Sequence, residues 1–284
     1  MLAPEVLKKI RQIEITTRRL LSGMYVGDVS TAHKGSGFEF EQIRDYVPND
    51  DVRFIDWKST ARMQRLQVRE YIEERNRSII LMVDRSQSMF FSSREQLTHD
   101  AVVELAAILA LVADYGKDSV GLLIFSNEVD RFIPPARGRA HIHRVMKELF
   151  TIQPTHARTS ISLAFNYILE CKQKNALLIA LSDFVDEQFS RSLSLACHVH
   201  EIIALRCCDV RMKKLPEMGF ITMFDPETQE ECCVDVRHVN KFLRERMIEQ
   251  NKVFKRNGVD VLDLEPGAWK ISDMVTFFKR RLQY

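Results

Sequence analysis

Short apolar runs alternate along the chain with segments whose apolar residues recur at helical spacing. Four runs are almost wholly apolar, as expected of strands buried on both faces of a sheet: residues 78–83, 120–125, 176–181 and 201–206. Shorter strand-like runs lie at 129–133 and 259–264. The helix-like segments are residues 92–115, 139–150, 160–172, 188–197, 238–256 and 273–282. This alternation predicts an α/β fold with a doubly wound, mostly parallel sheet.

The start of the first of these helices is marked by a local pattern. The pairs with the spacing of a capping box are Ser92 with Glu95 and Ser93 with Gln96. We therefore expect the helix that ends before Gly116 to begin at one of these two serines.

A different pattern occupies residues 220–234, where apolar and polar residues alternate around Asp225-Pro226-Glu227-Thr228. Alternation on both sides of a turn sequence is typical of a β-hairpin. We expect this hairpin to be inserted at the sheet edge, within an insertion of residues 210–236.

The segment before residue 77 lacks the alternation of strand-like and helix-like runs. Apolar residues at helical spacing predict a helix over residues 4–24, and the glycine-bearing polar segment 27–37 reads as an exposed loop. Residues 38–69 are dense in charge but carry several aromatic side chains, which indicates a small folded region. We therefore divide the chain into an N-terminal helical and irregular arm, residues 1–76, and a main domain, residues 77–284.

Composition narrows the classes of protein to consider. The 45% hydrophobic and 28% charged content is that of a globular protein, and a net charge of +2 lacks the basic surplus of a nucleic-acid binder. The six cysteines include no C-x-x-C pair, so we expect reduced thiols rather than a zinc ribbon. Charged residues interrupt the first apolar segment, so we expect a cytoplasmic protein without an integral membrane segment.

Oxygen-bearing side chains follow or precede the predicted buried elements. Asp84, Ser86 and Ser88 come directly after the first buried strand. Thr159 stands just before a predicted helix, and Asp183 follows another buried strand. Ligands of open α/β sheets bind outside the carboxyl ends of the strands, so these side chains should meet there. Carboxylate and hydroxyl oxygens suit a hard cation, which predicts a site for Mg²⁺ or Mn²⁺.

This arrangement resembles the metal-ion-dependent adhesion site (MIDAS) of von Willebrand factor A (VWA) domains, whose pattern is D-x-S-x-S, then Thr, then Asp. The resemblance implies that Ser86, Ser88 and Thr159 bind the cation directly, while Asp84 and Asp183 act mostly through bound waters. It also implies that the cation keeps a position open for a carboxylate of a protein partner.

The upstream segment is similar to the DUF58 family, and so is the D-x-S-x-S strand that follows it. The segments that carry this likeness are Gly35-Ser36-Gly37-Phe38-Glu39-Phe40, Arg44-Asp45-Tyr46, Asp50-Asp51-Val52-Arg53-Phe54-Ile55-Asp56-Trp57 and Ala61-Arg62. The resemblance implies work beside a MoxR-type AAA+ ATPase and other VWA proteins in complex assembly or maturation. Together these patterns predict a metal-dependent protein-interaction module that is not an enzyme.

Several alternatives stay open at this point. The site could belong to a hydrolase, with Ser86 or Ser88 as nucleophile or with metal-activated water, or it could be vestigial in a scaffold. Arg53, Asp56 and Trp57 could bind a partner, or an internal Arg53–Asp56 pair could lie under the indole. 

Asp186, on the segment after Asp183, presents a similar choice. It could touch the cation site and bind a partner there, or it could cap the helix that follows.

Overall fold

The structure of the chain is a computed structural model that divides into two compact units. The larger unit comprises Met1–Thr17 and Arg77–Tyr284, and the smaller one comprises Arg18–Asn76. The residues described are 10, 11, 13, 15, 17, 34–48, 50–72, 77–90, 92, 93, 97–151, 153, 159–171, 173, 175–186, 188–216, 218–224 and 231–282.

The smaller unit contains an antiparallel strand pair and a short helix. Its elements are β1 (Lys34–Asp45), a 3₁₀ turn (Val52–Phe54), α1 (Trp57–Met63) and β2 (Gln67–Ile72). The exposed loop predicted over residues 27–37 is wrong for residues 34–37, because these begin β1; the other residues of that segment lie outside the described residues.

The larger unit carries the main sheet and the helices around it. In chain order its elements are β3 (Ser78–Asp84), a 3₁₀ turn (Gln87–Phe90), α2 (Thr98–Tyr115), β4 (Ser119–Phe125), β5 (Val129–Ala136), α3 (Arg139–Thr151), α4 (Ile161–Glu170), β6 (Leu177–Ser182), α5 (Phe189–Cys197), β7 (Glu201–Cys207), α6 (Val210–Lys213), β8 (Phe220–Phe224), β9 (Glu231–Asp235), α7 (Val236–Arg256), β10 (Asp260–Leu264) and α8 (Ile271–Leu282). Before them, residues 10, 11, 13, 15 and 17 are helical, as predicted.

The six-stranded sheet has the order β10-β7-β6-β3-β4-β5. Only β5 runs antiparallel to its neighbour, while the other adjacent pairs are parallel. The predicted doubly wound, mostly parallel α/β fold is therefore confirmed. The chain leaves β3 toward β4 but leaves β6 toward β7, so the strand order reverses between the adjacent strands β3 and β6. Crevices at such reversals are where open α/β sheets bind ligands.

Alternate residues of β3 explain why its apolar run is continuous. Leu81 and Val83 belong to the core on one face, with residues of α2 and α3. Ile80 and Met82 belong to the core on the other face, with residues of α4, α5 and α7. All four side chains are fully buried, because helices cover both faces of the sheet.

The predicted capping box at Ser92 or Ser93 is wrong. The helix begins at Thr98, and both serines instead bond to the carboxylate of Asp209, more than a hundred residues away in sequence. The side chains of Ser92 and Ser93, which the local pattern assigned to helix capping, therefore bind Asp209 instead.

The hairpin is present, but its predicted place in the main sheet is wrong. Among the described residues β8 pairs only with β9, and the two form a separate sheet. The Val236 amide donates to the Gly219 carbonyl at 2.9 Å, which closes the hairpin at its base and leads the chain directly into α7. The predicted turn at residues 225–228 lies outside the described residues.

The described helices do not include one with the length and apolar character that crossing a membrane requires. The thiols of Cys171, Cys197, Cys207, Cys208 and Cys233 are free, as expected for reduced cysteines.

Removing a ring from the core between α4 and the sheet should show how much this layer contributes to stability. Phe165 is fully buried, so we expect Phe165→Ala to lower the free energy of unfolding by roughly 3–5 kcal/mol in urea titrations. Phe242→Ala removes the same ring from a position that is 59% exposed, and we expect it to change stability by less than about 0.5 kcal/mol. Equal losses in the two variants would contradict the described packing.

Candidate functional site

Three hydroxyl side chains from two separate loops meet beside the reversal of strand order. The Thr159 hydroxyl donates to Ser86 Oγ at 2.7 Å, and Ser86 Oγ lies 3.1 Å from Ser88 Oγ. The Ser160 amide donates to the Ser126 carbonyl at 2.9 Å, which fixes the Thr159 segment at the end of β4. The structure therefore brings the three predicted hydroxyl ligands together.

Two carboxylates end the neighbouring strands. Asp84 is fully buried; one of its oxygens accepts from the Ser86 amide at 2.8 Å and the other from the Ser182 hydroxyl at 2.6 Å. Asp183 is 6% exposed, accepts from the Val185 amide at 3.2 Å and lines the same small cavity as Ser88. Hydrogen bonds thus join four of the five predicted site residues, and Asp183 lies beside them.

The two carboxylates repel each other in a poorly hydrated environment. Burial, followed by the charge of Asp183, raises the pKa of Asp84. Burial also raises the pKa of Asp183, although the Ser88 hydroxyl, the Val185 amide and the charge of Arg246 act in the opposite direction. Because both groups resist ionisation, a cation bound beside them would relieve their repulsion.

The backbone after Asp183 is held in an unfavourable conformation. Phe184 has a φ of 57°, in the left-handed region that residues with a side chain seldom adopt. Its amide donates to the Ser182 hydroxyl at 3.0 Å, and its carbonyl accepts from the Gln250 side chain at 2.8 Å. Arg206 in turn bonds Gln250 at 2.9 Å. These buried contacts from β7 and α7 fix the turn that places Asp183.

Asp209 is a supporting residue that the sequence reasoning missed. Its carboxylate accepts from the Ser93 hydroxyl at 2.6 Å and the Ser93 amide at 2.8 Å, and it caps α6 by accepting from the Arg211 amide at 2.8 Å. An aspartate directly before a helix is a capping signal, but nothing local in the sequence points to Ser93 as its partner.

Asp186 connects two helix starts, while its contact with the cation site or with a partner stays a prediction. It accepts from the amide of Gln188, at the start of α5, at 2.8 Å, and from the amide of Ser162, in the first turn of α4, at 2.9 Å. It therefore links two helix starts, one of which follows Thr159 directly.

The predicted internal Arg53–Asp56 pair is wrong. Arg53 pairs with Asp51 at 2.6 Å, while Asp56 pairs with Arg69 at 2.7 Å and caps α1. Trp57 is 68% exposed, so its ring does not cover an ion pair. Asp51 lies two residues from Arg53, whereas the oxygens of Asp56 already accept from Arg69 and from the helix start. The recognition role of Arg53, Asp56 and Trp57 stays a prediction.

The donor set fits a hard cation. Each of the five side chains offers an oxygen, three as neutral hydroxyls and two as carboxylates. Groups of three or more His, Cys, Asp or Glu side chains arranged to hold a metal are absent from the described residues. An all-oxygen set with few carboxylates is the kind that suits Mg²⁺ or Mn²⁺ rather than zinc or copper.

Comparisons with known proteins identify the family. A family model described as "Protein of unknown function DUF58" matches residues 42–256, and the chain therefore belongs to the DUF58 family. The uncharacterized protein Rv1480 of Mycobacterium tuberculosis (strain ATCC 25618 / H37Rv) is 27% identical over 286 residues, covering 98% of this chain and 90% of that protein. The likeness inferred from the upstream segment is thus confirmed.

Solved structures that resemble this chain include the following two. Conserved hypothetical protein BatB from Bacteroides thetaiotaomicron has a TM-score of 0.50 at 13% identity, covering 73% of this chain and 100% of that one. The SpRpn10 VWA domain has a TM-score of 0.41 at 8% identity, covering 70% of this chain and 93% of that one. The likeness to BatB shows a shared fold.

Loss of Asp209 should loosen the segment that precedes α2. We expect Asp209→Ala to lower the free energy of unfolding by about 2–3 kcal/mol, because it removes a helix cap and the bonds to Ser92 and Ser93. Asp235→Ala removes a similar cap at the start of α7 and should lower it by only about 1 kcal/mol. Urea unfolding of both variants gives the difference. If the losses are equal, the bonds to the two serines do not stabilise the site.

Proposed function

We propose that this chain is a metal-dependent protein-interaction module. Ser86, Ser88 and Thr159 would hold Mg²⁺ or Mn²⁺ directly, with Asp84 and Asp183 behind them. The observation that carries the proposal is the hydroxyl cluster, in which Ser86 Oγ lies 2.7 Å from the Thr159 hydroxyl and 3.1 Å from Ser88 Oγ, beside two buried carboxylates. When bound, the cation would supply a coordination position for an acidic side chain of the partner.

The residues of the site explain why a cation bound there would attract an acidic side chain of a partner. The three oxygens that would contact the cation directly belong to neutral hydroxyls, while the two carboxylates would act mostly through bound waters, so the cation favours an anionic ligand at its remaining position. The Ser86 amide and the Ser182 hydroxyl bind Asp84 and fix the direction of its carboxylate. The segment of Ser86 and Ser88 is therefore held in place before a partner arrives.

The partner that the proposal favours is a MoxR-type AAA+ ATPase, together with other VWA proteins, in complex assembly or maturation. This part rests on the resemblance to MIDAS-bearing VWA domains and on membership of the DUF58 family. We place the module in the cytoplasm, an expectation that cell fractionation can test.

The proposal assigns no reaction to the chain. The hydrogen-bond partners of the Ser86 hydroxyl include Ser88 and Thr159, and no histidine bonds either serine among the described residues. A serine nucleophile ordinarily needs such a base, so the contacts favour ligation over nucleophilic attack. Metal-dependent turnover of a phosphoester or peptide substrate, abolished by Asp84→Ala, would support the hydrolase instead.

Magnesium should stabilise the folded chain. At a Mg²⁺ concentration about one hundred times its Kd, we expect the melting temperature to rise by roughly 5–10 °C relative to protein in EDTA, because the ion binds only the folded state. Ser86→Ala and Thr159→Ala should each lose most of this rise, since each removes a ligand. Differential scanning fluorimetry and calorimetry provide the measurements.

Ser160→Ala is the matched control for this experiment. Ser160 is adjacent to Thr159, but its hydroxyl lies 3.2 Å from Ser162 and is not one of the proposed ligands. This variant should retain the full magnesium effect. No binding of Mg²⁺ or Mn²⁺ at millimolar concentration would leave only a scaffold with a vestigial site.

Partner binding should depend on the same cation. We expect a purified MoxR-type AAA+ ATPase from the same organism to bind the chain in Mg²⁺. The complex should dissociate in EDTA, because EDTA removes the cation that the partner's carboxylate would bind. Ser86→Ala should weaken the complex about tenfold or more, and Ser160→Ala should not. Surface plasmon resonance with and without EDTA tests this. A complex that is indifferent to EDTA would contradict the cation mechanism even if the ATPase is the correct partner.

A further inference from the structure

A basic groove lies along α6 and the face of α7 next to it. It has a volume of about 610 Å³, and its basic lining consists of Lys213, Lys214, Arg237, Lys241 and Arg244. Met247 and Ile248 contribute apolar surface, and asparagines complete the lining. The α7 positions recur every three or four residues, so they lie on one face of the helix.

The groove is built on a fixed backbone. The Asn240 side chain accepts from the Leu215 amide at 2.7 Å and donates to the Leu215 carbonyl at 3.0 Å. This pair of bonds holds the segment after α6 against α7. The adjacent face of α7 is anchored in the core through Leu243 and Phe254, which are 8% and 1% exposed. The groove therefore exists without a ligand to shape it.

The charge of the groove differs from that of the chain as a whole. The chain has 41 basic and 39 acidic residues, but the described residues that line the groove include five basic and no acidic side chains. Arg237 pairs with Asp235 at 2.8 Å, and Lys241 lies 4.0 Å from Glu245. The basic member of each pair is exposed, Arg237 to 85% and Lys241 to 74%, and can therefore contact a second anion. The groove thus attracts anions.

Shape and lining favour an acidic stretch of polypeptide over other anions. Ile248 is 46% exposed, so the groove offers apolar surface to a hydrophobic side chain as well as charge to carboxylates. Among the described residues, those that line it include no aromatic ring on which a nucleic-acid base could stack. A concave surface also suits a chain segment better than a flat bilayer.

The groove begins close to the candidate cation site. Asp209, which caps α6, borders the same small cavity as Ser88 and Asp183. From there α6 extends over four residues, about 6 Å, to Lys213 at the groove. A segment of a few residues would span that distance.

We propose that the groove between α6 and α7 binds an acidic segment of a protein partner, with carboxylates on Lys241 and Arg244 and an apolar side chain on Ile248. The groove acts through charge and apolar contact. Its binding therefore does not require the cation, and it can be tested separately from the cation site.

The probe for the test is a short fluorescein-labelled peptide in which Glu and Asp alternate with Leu. Binding to the full chain is followed by fluorescence anisotropy in EDTA, so that the cation site does not contribute. We expect Lys241→Glu with Arg244→Glu to weaken binding about tenfold or more, because two attractions become repulsions. Lys252→Glu with Arg256→Glu makes the same charge change on exposed positions of α7 outside the groove, and should change affinity less than about twofold.

A second peptide, with Ser in place of Leu, separates a groove from a simple patch of charge. It should bind about fivefold more weakly or worse, since it leaves the surface of Met247 and Ile248 uncovered. Equal weakening by the two charge-reversal pairs, or equal binding of the two peptides, would overturn the proposal. Binding of phosphatidylserine vesicles but not of the Leu-containing peptide, lost in the Lys241–Arg244 variant, would make the groove a membrane contact and would also overturn it. Circular dichroism confirms that each variant is folded.

Discussion

The structure around the candidate site depends on holding two carboxylates side by side away from water. Asp84 and Asp183 end or follow neighbouring strands, and burial and mutual repulsion make it unfavourable for both to be ionised. Such an arrangement persists only where the surrounding structure supplies compensation. Here the Ser86 amide and the Ser182 hydroxyl bind Asp84, and Arg246 contributes positive charge near Asp183. The site is therefore stabilised by polar contacts from several elements, while the apolar packing stabilises the sheet around it.

Long-range contacts at the sheet edge distinguish this site from an ordinary turn. The strand order reverses between β3 and β6, which opens a crevice there, and Thr159 reaches Ser86 from a loop far away in the sequence. The turn at Phe184 is unfavourable by itself but is fixed by Gln250, which Arg206 positions. Because strained backbone persists only where its surroundings determine it, the contacts of Gln250 explain how Asp183 keeps its place.

The sequence predicted the sheet and the meeting of the site residues for one physical reason. Strands buried on both faces must be apolar throughout, so the apolar runs that end at Asp84 and precede Asp183 could be recognised as strands. Parallel strands place their carboxyl ends at one edge, so the residues after these runs were expected to meet. The supporting contacts could not be predicted in this way. The bond between Asp209 and Ser93 joins residues 116 positions apart. In the smaller unit Asp56 pairs with Arg69 rather than with Arg53, and no periodic pattern in the sequence indicates that pairing. Polar partners are selected by three-dimensional proximity, which hydrophobic periodicity does not encode.

The candidate site and the basic groove depend on different residues of the same helix, α7. The inner face of α7 is buried, so any polar side chain on it needs a hydrogen-bond partner. Gln250 has one, because its side chain donates to the Phe184 carbonyl and so holds the turn after Asp183. The face along the groove shares one residue with the hydrogen-bond network around Gln250, since Asn251 accepts from Arg206, but its Lys241 and Arg244 side chains are exposed. A charge reversal on the groove face thus leaves the contacts of Gln250 unchanged, whereas a change at Gln250 removes support from the turn after Asp183. The inner face of α7 is therefore constrained by the site, and Asn251 extends that constraint to the edge of the groove, whereas the exposed positions of Lys241 and Arg244 can vary without it.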